Sequence, residues 1–347
     1  MTPHRPMGPH RSMTLHSPGR PDYRPSWDRV EAMLDSILAR RYYTNHGPLA
    51  QALEARVATL RGVGHAIAVT NPAIALVMVI EASGLAGSVA LSALAPRRCA
   101  QSVAWAGLQP QFCDVSPTGG MTAATARAGI GPDTSTILSL CEASDGAAGP
   151  EDASDELAAL ATRRGLALVR DEAFGEGRRG VGLMTLPGQG DDAGAACILT
   201  GDAGLAARLR NIRSSYGAGR PVAVARTANG RLSEAQAAMA LLSLETAEAA
   251  AAHAVRLRGI YRSGLAGMQV SSHGGAVAVV MEWRNAALAR LQGAGWPARA
   301  PDALDPRAAG CLGAAEFVAH AVLLPVGSAI TGAAAAEMCR VLHSGRR

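Results

Sequence analysis

From about Trp27 onward, short apolar runs alternate with longer stretches of helical periodicity. The runs at residues 66–70, 88–94, 111–115, 136–141, 166–170 and 195–200 have the length of strands, and helices fit between them. That rhythm predicts an α/β fold, a mostly parallel sheet with helices on both faces. One helix has both ends marked. Ser154 can cap it, Asp155 and Glu156 lie in its first turn, Arg163 and Arg164 in its last, and Gly165 ends it. Caps and charges agree there with the helix dipole. An Ala-rich helical stretch from residue 232 to about 265 is expected to link two domains. Beyond it the pattern predicts a strand at 276–283, a helix at 285–291, a strand at 319–324 and a closing helix from Thr331. The expected organisation is a disordered tail over residues 1–25, a large α/β domain over 26–250 and a small C-terminal α+β domain over 251–347.

Composition narrows the picture. Hydrophobic residues make up 48% of the chain but aromatics only 3%, so the core is built from Ala, Val and Leu. The net charge is +5, yet the arginines are scattered and no basic run is interleaved with aromatics, which argues against a nucleic-acid surface. Cysteines stand at 99, 113, 141, 197, 311 and 339 with no C-x-x-C pair. They read as reduced, mostly buried residues of a cytoplasmic protein, with no metal site. No unbroken apolar stretch reaches the roughly 18 residues of a membrane span. The first 25 residues, rich in Pro, His, Arg and Gly, lack the apolar segment of a secretory signal.

One absence outweighs the rest: the chain has no lysine, and all 33 of its basic residues are arginine. Arginine can replace lysine as a surface charge. It cannot replace an amine that must condense with an aldehyde, because a guanidinium stays protonated.

Several local patterns occur in one order. Tyr42-Tyr43-Thr44-Asn45-His46-Gly47-Pro48 precedes a helix containing Glu54, and Gly62-Val63-Gly64-His65 leads into a strand that ends at Thr70-Asn71. Trp105-Ala106-Gly107, Pro110 and Phe112-Cys113-Asp114-Val115 follow, then Asp171-Glu172-Ala173, the stretch 205–210, Asn229-Gly230-Arg231-Leu232-Ser233-Glu234, and Leu323-Leu324-Pro325 with Thr331. Together they resemble the DegT/DnrJ/StrS sugar aminotransferases over roughly residues 27 to 343. The resemblance implies the fold-type-I aminotransferase architecture, with pyridoxal phosphate at the carboxyl ends of the strands. Asp171 matches the carboxylate that pairs with the pyridine nitrogen, although a strand-end Asp can also simply cap the next turn. Asn71 matches the start of the helix whose amides hold the phosphate. Asn229 matches a residue that reaches the neighbouring subunit's cofactor, although Asn-Gly is also a common turn. A dimer with composite pockets is implied.

The pattern breaks at the pocket itself. Pro72 and Ala73 follow Asn71 where the family has a small hydroxyl pair. Pro96 falls at or near the position of a stacking aromatic, and Phe174 stands where Gln or His is usual. The family's lysine segment is replaced by residues 186–194. No covalently bound cofactor is therefore expected, and binding of pyridoxal or pyridoxamine phosphate should be weakened. Arg97 and Arg98 could clamp an anionic group or be solvated loop charges.

Three readings follow. The first is a family member that makes no catalytic use of pyridoxal phosphate. The second is an enzyme on a sugar nucleotide without a covalent cofactor, drawing acid–base groups from Asp171, Glu172, Glu142 and Cys141, with His46 entering from a partner chain. The third is a partner subunit that pairs with an intact aminotransferase. The chain is expected to form a homodimer or that heterodimer and to bind a small molecule, neither nucleic acid nor membrane.

Overall fold

A computed structural model describes residues 25–44, 46–140, 150–171, 180–186, 195–214, 230–273, 275–302, 306–307 and 309–344, with the backbone alone at 140, 150–154 and 171. After α1 (Trp27–Arg40) and α2 (Pro48–Arg61), the chain lays down β1 (His65–Val69), α3 (Pro72–Ser83), β2 (Ser88–Ser92), α4 (Arg97–Trp105), β3 (Gln109–Cys113) and α5 (Ala123–Gly129). Then come β4 (Thr134–Leu140), α6 (Pro150–Arg164), β5 (Ala167–Asp171), β6 (Val181–Leu186), β7 (Ala195–Thr200), α7 (Ala203–Arg213) and α8 (Glu234–Glu245). Strands β1 to β7 form one sheet in the order β1-β7-β6-β5-β4-β2-β3. β7 runs antiparallel to both neighbours, and the remaining pairs are parallel.

Alternation along the strands divides the core into two faces. Ile67, Val69, Leu91, Leu138, Val169, Leu183 and Ile198 point to one side, where α3, α4 and α7 cover them. Ala66, Ala68, Met184, Leu186, Cys197 and Leu199 point to the other and meet α2 and α8. Farther along that second face, Ala90, Ile137 and Leu168 pack on α5 and α6. The sequence of α3, PAIALVMVIEAS, is apolar nearly all round because the helix is buried between the sheet and its neighbouring helices.

The C-terminal part adds α9 (Ala247–Gly264), β8 (Gln269–His273), β9 (Ala276–Val280), α10 (Arg284–Gly293), α11 (Leu312–His320), β10 (Ala321–Leu324) and α12 (Gly332–Ser344). β8, β9 and β10 make a small antiparallel sheet in the order β10-β9-β8. Its core includes Leu257, Tyr261, Val277, Val279, Leu291, Val322 and Met338. The α/β fold class expected from the sequence is the one observed.

Some boundaries differ, for physical reasons. The Ala-rich stretch is two helices, because Thr246 leaves the helical region (φ −107°, ψ 1°) while its hydroxyl donates to the Ser243 carbonyl at 3.3 Å. α6 starts at Pro150, whose fixed φ suits a first helical turn, so Ser154 lies inside the helix instead of capping it. Gly165, at φ 66°, is in the left-handed conformation expected of a helix-ending glycine. The last strand begins at Ala321, since 319 and 320 complete α11.

Cys99, Cys113, Cys197, Cys311 and Cys339 are buried free thiols, and Cys141 lies outside the described residues. Burial pushes the Cys113 thiol up to about 12 and Cys339 up to about 11, so neither is primed as a nucleophile. Among the described residues no helix is long and apolar enough to cross a membrane, and no group of three metal-ligating side chains converges.

Candidate functional site

The parallel strands β1, β2, β4 and β5 end on one edge of the sheet, where open α/β sheets place their ligands. Asp171 closes β5 there, in register with Leu140 on one side and Leu183 on the other. Cys141, Glu142, Glu172, Phe174 and Asn229 lie outside the described residues.

On the same edge, Asn71 links β1 to α3. Its Oδ1 accepts the Ile74 amide at 2.9 Å, and its carbonyl accepts the Ala75 amide at 3.1 Å. Pro72, the first helical residue, has no N–H to offer. Of the first three helical positions, only Ala73 keeps an amide not removed by proline or taken by Asn71. Beside it, the Thr70 amide donates to the Gly230 carbonyl at 3.2 Å. A Cβ on Gly230 would stand 2.7 Å from Met78 Sδ and 3.4 Å from Ile74 Cγ2, so any side chain there would have to displace the end of Met78 against α3. A phosphate needs several converging amides. These residues fit a phosphorylated cofactor poorly.

Arg97 and Arg98 occupy the first turn of α4, after Pro96. Arg97 donates through Nε and Nη2 to Asp302 Oδ1 at 3.2 and 3.0 Å, an ion pair open to solvent on both sides. The pair spans from the large sheet's helix to the C-terminal part. Such exposed pairs contribute little stability.

His46 is engaged within its own chain. Its Nε2 meets Glu54 Oε2 at 2.9 Å. Glu54 Oε1 also accepts the Ala68 amide at 2.9 Å and the Arg213 guanidinium, whose Nη1 in turn donates to the Ala68 carbonyl at 3.0 Å. The Arg213 side chain is only 4% exposed. Burial alone would raise the Glu54 carboxyl. The His46 hydrogen bond, the Arg213 charge, the His46 ring and the Ala68 amide outweigh it and hold that carboxyl below its ordinary range. Nearby, buried Glu234 accepts the Leu49 and Ala50 amides at 2.8 and 3.0 Å, while its own amide donates to the Tyr43 carbonyl at 2.9 Å. Sequence reasoning placed Glu54 and Glu234 within motifs but assigned neither a role. Their signal was a carboxylate amid apolar helix residues, which at 1% exposure for Glu234 must be fully partnered.

A third carboxylate joins the two parts of the chain. Asp114, just past β3, accepts the Gly313 and Ala314 amides at the start of α11 at 2.9 and 2.7 Å, and the Val115 amide at 2.9 Å. Burial pushes its carboxyl up, but the Gly313, Val115 and Ala314 amides hold it below its ordinary range. Gln269 Nε2 and Ser271 Oγ of β8 donate to the Pro117 and Thr118 carbonyls at 2.6 and 2.8 Å along the same seam.

Sheet order, the lone antiparallel strand and the appended small sheet together define a type-I aminotransferase-like α/β fold. The profile of the DegT/DnrJ/EryC1/StrS aminotransferase family matches residues 28–195 of this chain. It is 26% identical over 256 residues to dTDP-4-amino-4,6-dideoxy-D-glucose transaminase of Escherichia coli, covering 67% of this chain and 66%, just under two thirds, of that relative's length. The structure of DesI solved in the presence of its TDP-sugar product superposes with a TM-score of 0.80 at 27% identity, covering 94% of this chain and 91% of DesI. The sugar aminotransferase CalS13 from Micromonospora echinospora shares the fold, with a TM-score of 0.77 at 20% identity over 92% of this chain and 98% of its own.

Proposed function

We propose that this chain is an aminotransferase-family member that does not carry out conventional transamination. It serves natural-product or sugar biosynthesis as a non-catalytic or pyridoxal-phosphate-independent protein. The observation that carries this reading is the sequence: a family that works with pyridoxal phosphate is represented here by a chain with no lysine among its 33 basic residues. No guanidinium can take over covalent anchoring of an aldehyde. The reduced set of amides at α3 supports the same reading, and Asn71 is then a helix cap instead of a phosphate ligand. We further propose that the chain works as a dimer, with a second copy or with an intact aminotransferase homologue.

The test pairs a spectrum with a product assay. After incubation with pyridoxal phosphate and dialysis, the protein should keep no visible absorbance band. With a TDP-linked keto sugar and glutamate it should release no amino sugar. A band that survives dialysis, or amino-sugar formation, would overturn the proposal. Native mass and co-purification separate a homodimer from a heterodimer.

One observation favours a second reading. The 27% identity with DesI extends over 94% of this chain, and DesI was solved with a TDP-sugar product. An enzyme acting on a nucleotide-linked sugar without a covalent cofactor would fit that likeness, with Asp171 as its acid–base group. Turnover of such a sugar that disappears in Asp171→Asn and persists in Arg97→Ala would establish it.

A further inference from the structure

We infer that the start of α3 is closed to phosphate by the chain itself, so that neither pyridoxal phosphate nor pyridoxamine phosphate is held there by its phosphate group. The inference builds on the proposed loss of transamination, but it concerns binding and can fail separately. A missing lysine removes only the covalent bond. Pyridoxamine phosphate needs no such bond, and a chain that had lost only its lysine would still have a place for the phosphate.

Three features close that place together. Pro72 deletes the first amide of α3, and the side chain of Asn71 holds the third at 2.9 Å. What remains is the single amide of Ala73, whose methyl side chain brings no hydroxyl. An anion at a helix N-terminus is held by several amides pointing at it together, and the dipole adds only a diffuse attraction. Gly230 is the third feature. Its carbonyl takes the Thr70 amide at 3.2 Å, and its backbone packs against Met78 and Ile74 on α3 itself. The segment at Gly230 thereby lies close against the helix start. Asn71 cannot swing away to free the Ile74 amide without leaving a partly buried helix end uncapped.

The experiment compares pyridoxamine phosphate with pyridoxamine, which differ only in the phosphate, by equilibrium titration of the purified full-length chain. The expected result is that the two bind within about tenfold of each other, or that neither binds saturably. Pyridoxamine phosphate binding more than about tenfold tighter, with inorganic phosphate as a competitor, overturns the inference. The wild-type comparison needs no variant and decides the matter even if substitutions in α3 prevent folding. A Pro72→Gly/Ala73→Thr double variant, which restores one amide and adds a hydroxyl, should open a preference for the phosphorylated compound of at least about tenfold. A folded double variant that keeps the wild-type ratio also counts against it. Tight phosphate-dependent binding without amino-sugar formation would sink this inference and leave the proposed function standing. Amino-sugar formation would sink the proposed function.

Discussion

The starts of α2 and α11 can be set beside the start of α3. At α2 the first amides are held by Glu234, 185 residues away along the chain, and at α11 by Asp114, 199 residues away. At α3 the corresponding amide is held by Asn71, three residues away. All three solve the same problem of orphan donors in a helix's first turn. The distant carboxylates also join parts of the molecule that are far apart in sequence. The local cap joins nothing and only consumes a donor. A remote carboxylate therefore marks a structural seam, whereas a local cap such as Asn71 ties the first turn only to its own helix.

Substitutions can test that contrast. The largest effect is expected at the α2 corner, where Arg213→Met would leave Glu54 buried without its main counter-charge and cost about 3–5 kcal/mol in denaturant unfolding. Acid should act on the same corner. Glu54 is held below its ordinary 4.5 in the folded chain, so the unfolded chain binds the extra proton. Its contribution is complete above about pH 4.5 and is lost as the pH falls through the folded-state value. A Glu54→Gln variant should show a flatter acid limb, and an unchanged limb would place the acid sensitivity elsewhere. Next in size, Glu234→Ala leaves two buried amides without an acceptor and should cost about 2–3 kcal/mol. Asp114→Ala should cost about 1–2 kcal/mol, with faster hydrogen exchange confined to α11 and β8 as the sign that the seam has loosened. Asn71→Ala should cost least, about 1 kcal/mol, like other lost caps. If it cost as much as Glu234→Ala, the distinction between seams and local caps would fail.

Much of this was legible before the structure. β7 occupies the residues the hydrophobic run predicts, 195–200, because a fully buried strand is written as an unbroken apolar segment. β8 was not legible: four of the five residues of QVSSH are polar, and the strand lies at an edge, where burial imposes no clear pattern. At the candidate site, Pro72 could be read directly as a lost amide. The partner of His46 could not, since pairing with Glu54 depends on His46 adopting a left-handed backbone (φ 61°), which nothing in its neighbours dictates. Nor could the sequence show that Arg213 would close the circuit, because a contact spanning 159 residues leaves no local periodicity. Arg97 was legible as a charge near the pocket but not as a tie to Asp302.

The antiparallel strand β7 has a consequence for how the molecule comes into being. Among the described residues β1 has no other neighbour in the sheet, so residues 65–69 wait for residues 196–200 before they gain a hydrogen-bonded strand partner. The helices that precede β1 wait longer still, for α8, on which both α1 and α2 pack. During synthesis the N-terminal quarter therefore emerges first and is completed late, holding its apolar faces open while more than half the chain is added. Pairings this distant fold slowly and leave surface open to aggregation in the meantime.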